Sequence, residues 1–557
     1  MSDQEVPVVE PRPRRSAAPW IILALVVILV GLAVYFLVSK RAAVEDPAVY
    51  LPKDSVMAVT FDFTKTKEKE AAMDVIRGIF KDAGIDDLEK KLFEEINKEL
   101  KLDFEKEVLS RLNGRGGGAM LPEMVNMVPG MIVVVGTNTD ADAAALMTTA
   151  DKTMKRDHVE AQKATYEGFS YFVIPERNMR ACLGAVKSAM VFASTESAFK
   201  KAVDTVNGKQ PNLLQDANFT RLREASPATF ATFFFSGPNY YKLLQPFMAM
   251  GMAQMPPEAM QTIKDMFENV QASVGSAAAS AEGIMFRATG VSKNPASRYD
   301  KLSLEELAAP APNDAAFVCT MAGWDKMWAD FKKQLLSNAT LKAQVDQGIQ
   351  GVKAEFGFDP LADALDRITM VTAYYTPGRP ATSSAFPGRL TVILKVDKPA
   401  VVKSALDKIQ GKMATGGAVL PAMDIAGETA YAIPTGDENI KLAYAMVGDT
   451  VVFIVAGPDV RDQMTRAIQR AQGKGANASS SDGFKLVKKY LPGQATTFMF
   501  VDAAPVLAVF KDELGAELDA EQQKVADAIT KRIGAFGLTG EQSGRESSVQ
   551  AVIPFKK

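Results

Sequence analysis

The chain has one histidine, His158, set among charged residues in MKRDHVEAQK. One imidazole allows no paired histidine ligands for zinc, and at most a single Ser-His or Cys-His site. No partner signature surrounds it, so it reads as a solvated surface side chain. Two cysteines, Cys182 and Cys319, cannot build a Cys-ligated metal site or a disulfide framework. Both lie in apolar, strand-like stretches and read as buried free thiols. The run Gly114-Arg115-Gly116-Gly117-Gly118 has the glycine density of a phosphate loop. Ala-Met-Leu-Pro follows it, where a Walker loop needs Lys-Ser/Thr and a helix N-terminus. It is expected to be a flexible turn from helix into strand. Asp86-Asp87 and Glu94-Glu95 are adjacent carboxylates on charged helical stretches. Neighbours in sequence do not share a helix face, so they read as solvated surface and not as an acid/base pair. No nucleophile-elbow pattern occurs. No cofactor or metal site is expected.

The most unusual chemistry-bearing stretch is Tyr240–Phe267, which contains Met248, Met250, Met252, Met255, Met260 and Met266. Three readings stand. Thioethers are soft ligands for Cu(I), although no His or Cys joins them. They also make adaptable hydrophobic contact surfaces. Or they fill a core. Ile263, Phe267 and Val270 continue one amphipathic face from Met260, which suits core packing. From Phe247 to Met255 the sequence is apolar nearly all round, and one buried face cannot account for that. Phe247, Met248, Met250, Met252 and Met255 are therefore the candidate hydrophobic contact surface.

The wider composition narrows the classes. The 557 residues are 47% hydrophobic and 23% charged, ordinary for globular protein and unlike a disordered chain. With 64 Lys+Arg against 66 Asp+Glu, the net charge is −2. That gives no electrostatic reason to bind nucleic acid.

Trp20–Val38 holds no charge. As a helix it would rise about 28 Å, close to the ~30 Å hydrocarbon layer of a bilayer. Trp20 and Tyr35 lie near its two ends, where amphipathic rings prefer the interface. A cleaved signal peptide usually has an apolar run of only ~7–15 residues and a small-residue cleavage site, which this stretch lacks. Residues 20–38 therefore read as an uncleaved transmembrane helix, with the bilayer as a partner. Arg12, Arg14 and Arg15 before it, against Lys40 and Arg41 after it, favour a cytoplasmic N-terminus. Residues 1–19, rich in proline and without apolar periodicity, are expected to be a disordered cytoplasmic tail.

The remainder repeats itself. LPKDSVMAVTF from Leu51 matches APNDAAFVCTM from Ala311. LDFEKEVLSRL from Leu102 matches GFDPLADALDRI from Gly357, and PGMIVVVGTNTDADAAAL from Pro129 matches PGRLTVILKVDKPAVVKSAL from Pro387. EGFSYFVIP ending at Pro175 matches AGETAYAIP ending at Pro434, and AMVFASTESAFKKAV from Ala189 matches VVFIVAGPDVRDQM from Val451. FTRLREASPATFATFFF from Phe219 matches FKLVKKYLPGQATTFMF from Phe484. Six matches in one order argue for a tandem duplication, with repeat 1 at 47–295, a linker at 296–310 and repeat 2 at 311–557. The counterpart of the Met-rich stretch is charged and conventionally amphipathic, so the shared fold does not require the methionines.

Each repeat reads as mixed. Strands are expected at Val56–Phe63, Met131–Gly136, 169–175, 179–186, 189–194 and Thr229–Ser236, with a closing pair near 274–290. A charged helix carries Leu88, Leu92, Ile96 and Leu100. An Ala-rich helix starts with Thr139 as N-cap, and another covers Ser197–Val206. Helices cluster between hairpin-like strands without βαβ alternation. The expected class is α+β, a mostly antiparallel sheet with helices on one face, duplicated behind a single N-terminal transmembrane helix.

The LPKDSVMAVTFDF opening, LDFEKEVLSRLNGR and the block from VFASTESAFKKAV through FATFFF resemble a bacterial family of membrane-tethered proteins, the domain of unknown function numbered three-three-five-two. The resemblance implies a bacterial envelope location and brings no activity, cofactor or catalytic residue. The expectation is a non-catalytic, single-pass protein of the inner membrane, its ectodomain periplasmic or extracellular and binding or scaffolding a protein partner. Two alternatives stand beside it. One is a carrier or sensor of a hydrophobic ligand, lipid or peptide. The other is a carboxylate-dependent hydrolase, which would need carboxylates converging about 5–9 Å apart.

Overall fold

The computed structural model describes residues 45–556 apart from short internal stretches, the longest being 85–92, 378–387 and 507–523. The expected tail and the Trp20–Val38 segment lie outside the described residues, as do Leu88, Leu92 and Leu100. Among the described residues no helix is long and apolar enough to cross a membrane.

The first half carries strands β1 (Met57–Asp62), β2 (Leu112–Val125), β3 (Val128–Thr137), β4 (Gln162–Tyr166), β5 (Phe169–Glu176), β6 (Met179–Val186), β7 (Ala189–Ala193), β8 (Ala231–Phe235), β9 (Val270–Ser280) and β10 (Gly283–Ala296). Its helices are α1 (Lys67–Asp82), α2 (Asp140–Arg156), α3 (Glu196–Val206), α4 (Ala217–Ala225), α5 (Gly237–Gly251) and α6 (Pro257–Asn269). The second half begins with β11 (Leu302–Ser303), α7 (Leu304–Ala308), β12 (Phe317–Ala322), α8 (Trp324–Leu336), α9 (Ala339–Phe356), β13 (Ile368–Pro377), β14 (Gly388–Val396) and α10 (Pro399–Thr415). It continues with β15 (Ala422–Ile425), β16 (Glu428–Ile433), β17 (Lys441–Val447), β18 (Thr450–Ala456), α11 (Val460–Ala471), α12 (Asp482–Lys488), β19 (Gln494–Ala495), β20 (Thr497–Asp502) and β21 (Ala535–Pro554).

The class is α+β, built on one 19-stranded sheet. Its neighbours run β4-β5-β6-β7-β3-β2-β1-β8-β9-β10-β21-β20-β12-β13-β14-β18-β17-β16-β15, every pair antiparallel. β21 folds back on itself at Gly544, which has φ +60. Its early residues pair with β20 and its later ones with β10, and Ile533 and Phe555 bridge beyond its ends. Tight hairpins close the outer strands. Asn126-Met127, Glu167-Gly168 and Ala426-Gly427 all have positive φ at both residues, as a type I′ turn requires.

Alternation along each strand sends one set of side chains to a helix-covered face. In β1, Ala58 and Thr60 are buried while Met57 is exposed. On this inner face Ile132, Val134, Val191, Phe234 and Val274 pack with Phe199 of α3 and Phe219 of α4. Phe199 stacks on Tyr171 with ring centroids 4.5 Å apart. Thr139 caps α2 as expected, accepting from Asp142 N. In the second half Val318, Tyr374, Ile393, Val452 and Ile454 pack with Met464 of α11, Phe484 of α12, and Phe498. The entry turns of the halves are held alike. Pro52 bridges to Asn212 and Pro312 to Asn477. Leu213 N donates to Leu51 O at 2.8 Å, and Ala478 N donates to Ala311 O at 2.9 Å.

Two expectations change. The Gly114–Gly118 run is not a flexible turn but lies inside β2, where glycine answers to close packing. A Cβ at Gly116 would sit 2.5 Å from the Phe61 ring and 2.7 Å from Val134 O. The stretch 296–310 is not simply a linker either. It contains β11 and α7, and Leu304, Leu307 and Ala308 are fully buried in the second core. Ser303 caps α7 in a reciprocal box with Glu306, the local signal that starts the helix.

Gly116→Ala is therefore expected to destabilise by about 1–3 kcal/mol through overpacking. Gly411→Ala, inside α10 with nothing within 4 Å of the added methyl, should stabilise by about 0.5–1 kcal/mol. Opposite shifts of the thermal midpoint check the pair.

Candidate functional site

The face of the sheet opposite the α3 side carries an apolar row that its helices only partly cover. Registers place Phe192 beside Val133, Val133 beside Gly118, and Gly118 beside Val59. Val59 then faces Phe233, Phe233 faces Gly275, Gly275 faces Ala288, and Ala288 faces Val549. The row crosses eight strands, from β7 to β21. At ~4.8 Å per strand it spans roughly 34 Å. Phe192, Val133, Phe233 and Val549 are exposed by 41%, 41%, 47% and 41%, and Met57 and Met131 beside the row by 47% and 40%. Gly118 and Gly275 interrupt the side chains and lower the floor between them. Large apolar residues this exposed are unremarkable singly but meaningful in contiguity.

Helices border the row on two sides. Leu146 of α2 packs with Val135 and Met190, one pleat away from Val133 and Phe192. On the other side Tyr240 of α5 lies against Phe235 at 5.6 Å and against Phe267 of α6 at 4.9 Å. Where β21 meets the second half, a pocket of about 210 Å³ continues from Val549 past Gly540 and Thr497 to Met321, Met327 and Tyr299.

The sequence-derived contact residues divide around this face. Phe247 on α5 is 43% exposed. Met248, its neighbour, is only 6% exposed, so it serves the core instead. Consecutive residues on a helix point about 100° apart, so both cannot face outward. Met250 falls within α5, and Met252 and Met255 lie outside the described residues. The exposed residues of β1, β3, β7 and β8 were missed because Met131–Gly136 reads as a continuous apolar run, which suggests burial on both sides. The glycines opposite it in β2 were the available signal.

A second, polar cleft of about 500 Å³ lies on α3, lined by Glu123, Glu196, Ser197, Lys200, Lys201 and Asp204. Lys201 Nζ donates to Asp54 Oδ2 at 2.7 Å and to Glu123 Oε1 at 2.6 Å. Burial pulls its pKa down, but the two carboxylates prevail and hold it above the ordinary lysine value. Glu196 accepts from Tyr171 at 3.0 Å and pairs with Lys200 at 2.9 Å, and the Tyr166 hydroxyl lies 3.1 Å from Asp204. Each of these carboxylates is already engaged. Elsewhere, Lys69 Nζ donates to Asp62 O at 2.7 Å and Thr64 O at 3.2 Å, and burial pushes its pKa down.

His158 is exposed in the turn after α2, with φ +55. Cys182 is buried and Cys319 half-buried, both as free thiols. Burial raises the Cys182 thiol to about 12, which keeps it protonated and unreactive. Asp86, Asp87 and Glu95 fall outside the described residues. Among the described residues no group of three His, Cys, Asp or Glu side chains gathers at metal-binding distance.

The family profile that matches the chain, over residues 20–553, is described as Protein of unknown function (DUF3352). No curated protein matches it in sequence. Among solved structures, crystal forms I, III and IV of TP0453 are similar over 45% of this chain and 80 to 81% of theirs, at 8 to 10% identity. Their TM-score is 0.24, a level at which the likeness carries no argument.

The burial difference has a direct consequence. Met248→Gln should lower stability by about 1.5–3 kcal/mol, the worth of a buried apolar side chain. Phe247→Gln should stay within about 0.5 kcal/mol, as exposed substitutions do. Urea midpoints of the two variants check this.

Proposed function

The chain belongs to the DUF3352 family, proteins of unknown function, and we propose that it is a membrane-anchored, non-catalytic binding protein of the bacterial envelope. Its ligand is apolar, and it lies along the row from Phe192 to Val549. The observation that carries this reading is the continuity of that row across eight neighbouring strands: exposed Phe192, Val133, Phe233 and Val549 in register with half-buried Val59 and Ala288 and with Gly118 and Gly275. A lipid acyl chain suits such a face, because it needs length and apolar contact and few directed hydrogen bonds. The charged α3 cleft supports a non-catalytic role, since its carboxylates are bonded to lysines or tyrosines and none stands free as a general acid or base.

The anchor is the uncharged Trp20–Val38 segment, oriented with the N-terminus in the cytoplasm and the remainder outside it. A single-pass tether would hold the apolar face near its lipid source. The ectodomain is a tandem duplication. Six ordered sequence matches support this, as do the same strand order outward from the β10–β21 seam and the paired Pro52–Asn212 and Pro312–Asn477 bridges. A scaffold for a protein partner is the second reading, and Phe247 favours it, because that side chain projects from a helix and not from the sheet.

Two measurements test the proposal. After alkaline carbonate extraction the full chain should stay in the membrane pellet, and removal of residues 1–44 should release it. The full chain in lipid bilayers, irradiated with a diazirine-bearing fatty acid, should be labelled at Met57, Met131, Phe192 or Phe233. Gly118→Val with Gly275→Val should fill the floor and reduce that labelling several-fold. Labelling confined to residues 20–38 would sink the ligand reading and leave the scaffold.

A further inference from the structure

The two ends of the apolar row differ. Beyond Phe192 the register continues through Leu183 of β6 to Phe172 of β5. There α2 packs over the strands, and Phe172 is 4% exposed. Side chains close that end. Beyond Val549 the outer face runs on to Gly540, Thr497 and Met321 and drops into the pocket of about 210 Å³ beside α8. Across the fold of β21, a Cβ added at Gly540 would meet Thr497 at 3.5 Å and Ser548 O at 3.9 Å, and nothing closer. The glycine is an open floor.

The first half fills the matching place. The sequence match that sets Leu51 against Ala311 also sets Phe61 against Met321 and Phe63 against Gly323. The two phenyl rings lie 5.2 Å apart, and Phe61 covers the backbone of Gly116. In the second half a flexible methionine and a glycine stand in their place, and the Cβ of Tyr299 lies 3.2 Å from where a Gly323 Cβ would be. The strand order does not itself call for a cavity there.

The lining fixes the kind of head the pocket can take. Met321, Met327 and Val549 give an apolar wall continuous with the row, while Tyr299, Thr497 and Ser547 bring hydroxyls and Gln542 an amide. Ser547 shares the outer face with Val549, two residues away. Thr497 Oγ1 lies 3.9 Å from the place of a Gly540 Cβ. Burial and the neighbouring Asp330 raise the Tyr299 pKa, so its phenol stays protonated. The charges nearby are acidic or already paired. Glu541 accepts from Lys301 at 2.6 Å. Asp330 accepts from Ser297 N and Oγ at 2.8 and 2.9 Å and from the Tyr299 hydroxyl at 3.5 Å, all neutral donors. An anionic head would meet these carboxylates, and repulsion of that kind is how a site excludes a wrong ligand. A head of hydroxyl and ester oxygens finds donors and acceptors together. At ~30 Å³ per water the pocket has the room of about seven, enough for a glyceryl group.

We propose that the ligand of the row is a neutral amphiphile, a long-chain monoester of glycerol type. Its chain lies on the outer face toward Phe192, and its uncharged head enters the pocket among Tyr299, Thr497, Gln542 and Ser547. This rests on the reading of the row as an acyl-chain face and adds the class of head and the direction in which the lipid lies.

The test places the full chain in phosphatidylcholine bilayers with three probes that share one diazirine-bearing chain: a monoacylglycerol, a fatty acid and a lysophosphatidate. At about pH 9 the carboxyl and phosphate heads are ionised. The expected result is several-fold stronger labelling of Val133, Phe192 or Phe233 by the monoacylglycerol at equal concentration. Thr497→Val with Ser547→Ala should lower it to the level of the fatty acid, whose own labelling is unchanged. Gly540→Leu, which fills the pocket, should do the same, with a cooperative thermal melt to show that the chain is folded. Thr497→Lys places a cation in the pocket and should reverse the order in favour of the anions. Equal labelling of the row by all three probes overturns the neutral head and leaves the row as an acyl site. A preference that survives unchanged in both Gly540→Leu and Thr497→Lys does so as well. No labelling of the row by any probe overturns the row and the head together.

Discussion

The pairing of β10 with β21 decides the form of the whole molecule. From Gly283 opposite Pro554 to Val291 opposite Glu546, the last strand of the first half and the last strand of the second run antiparallel in register. Two sheets that could each have ended in an open edge instead satisfy each other's backbone groups. An unpaired strand edge exposes a row of donors and acceptors, and proteins manage such edges by covering or pairing them. Among the described residues, pairing here leaves the edges of this sheet at β4 and β15, both short. β4 carries Lys163, whose ammonium pairs with Asp151 at 3.1 Å and sits over the Phe172 ring at 5.5 Å. A charged side chain on an edge opposes addition of a further strand.

A sheet this wide has two faces to dispose of, and the helices divide unequally between them. The inner face receives α3, α4, α11 and α12, and it closes around large aromatic side chains. On the outer face the helices stand at the margins of the first half's row, and the middle keeps half its apolar surface. Glycine has opposite consequences in two places on that face. At Gly116 its absent side chain lets the Phe61 ring lie on the backbone. At Gly118 no large side chain fills the space, because the closest atom to an added Cβ would be Ile132 O at 3.2 Å. The same residue type thus makes a packed contact in one register position and a groove floor two residues later.

Much of this was legible in the sequence, for reasons tied to particular residues. Strands bounded by turn signals were placed closely: β5, β6 and β7 lie within two residues of their expected ends, because Gly168, the Pro175–Asn178 region and Lys187-Ser188 punctuate them. Thr139 announced α2 because a hydroxyl before an Ala-rich run satisfies an amide that helix geometry orphans. The Gly114–Gly118 run misled because glycine signals freedom in isolation, and only the neighbouring strand reveals that it answers to crowding. Met248 misled for the converse reason. In a run that is apolar all round, the sequence contains no phase, so which side faces the core depends on where α5 is set by Tyr240 and Phe267. The apolar row could not be read from any single segment, since its eight members come from eight strands joined only by register.

The contrast between the two inner faces follows the same logic of long-range placement. Thr376, Thr391 and Gln463 look unremarkable along the chain, where threonine suits strands and glutamine suits helices. Their significance appears only when the registers of the two halves are compared, which puts them at the positions that Leu121, Ile132 and Ala198 hold in the first half. Both arrangements occupy corresponding places in the same strand order and under helices with the same buried spacing, so neither backbone geometry nor topology demands a polar core. An apolar core would bury the same positions without orphaned donors, and the first half demonstrates that the scaffold accepts one.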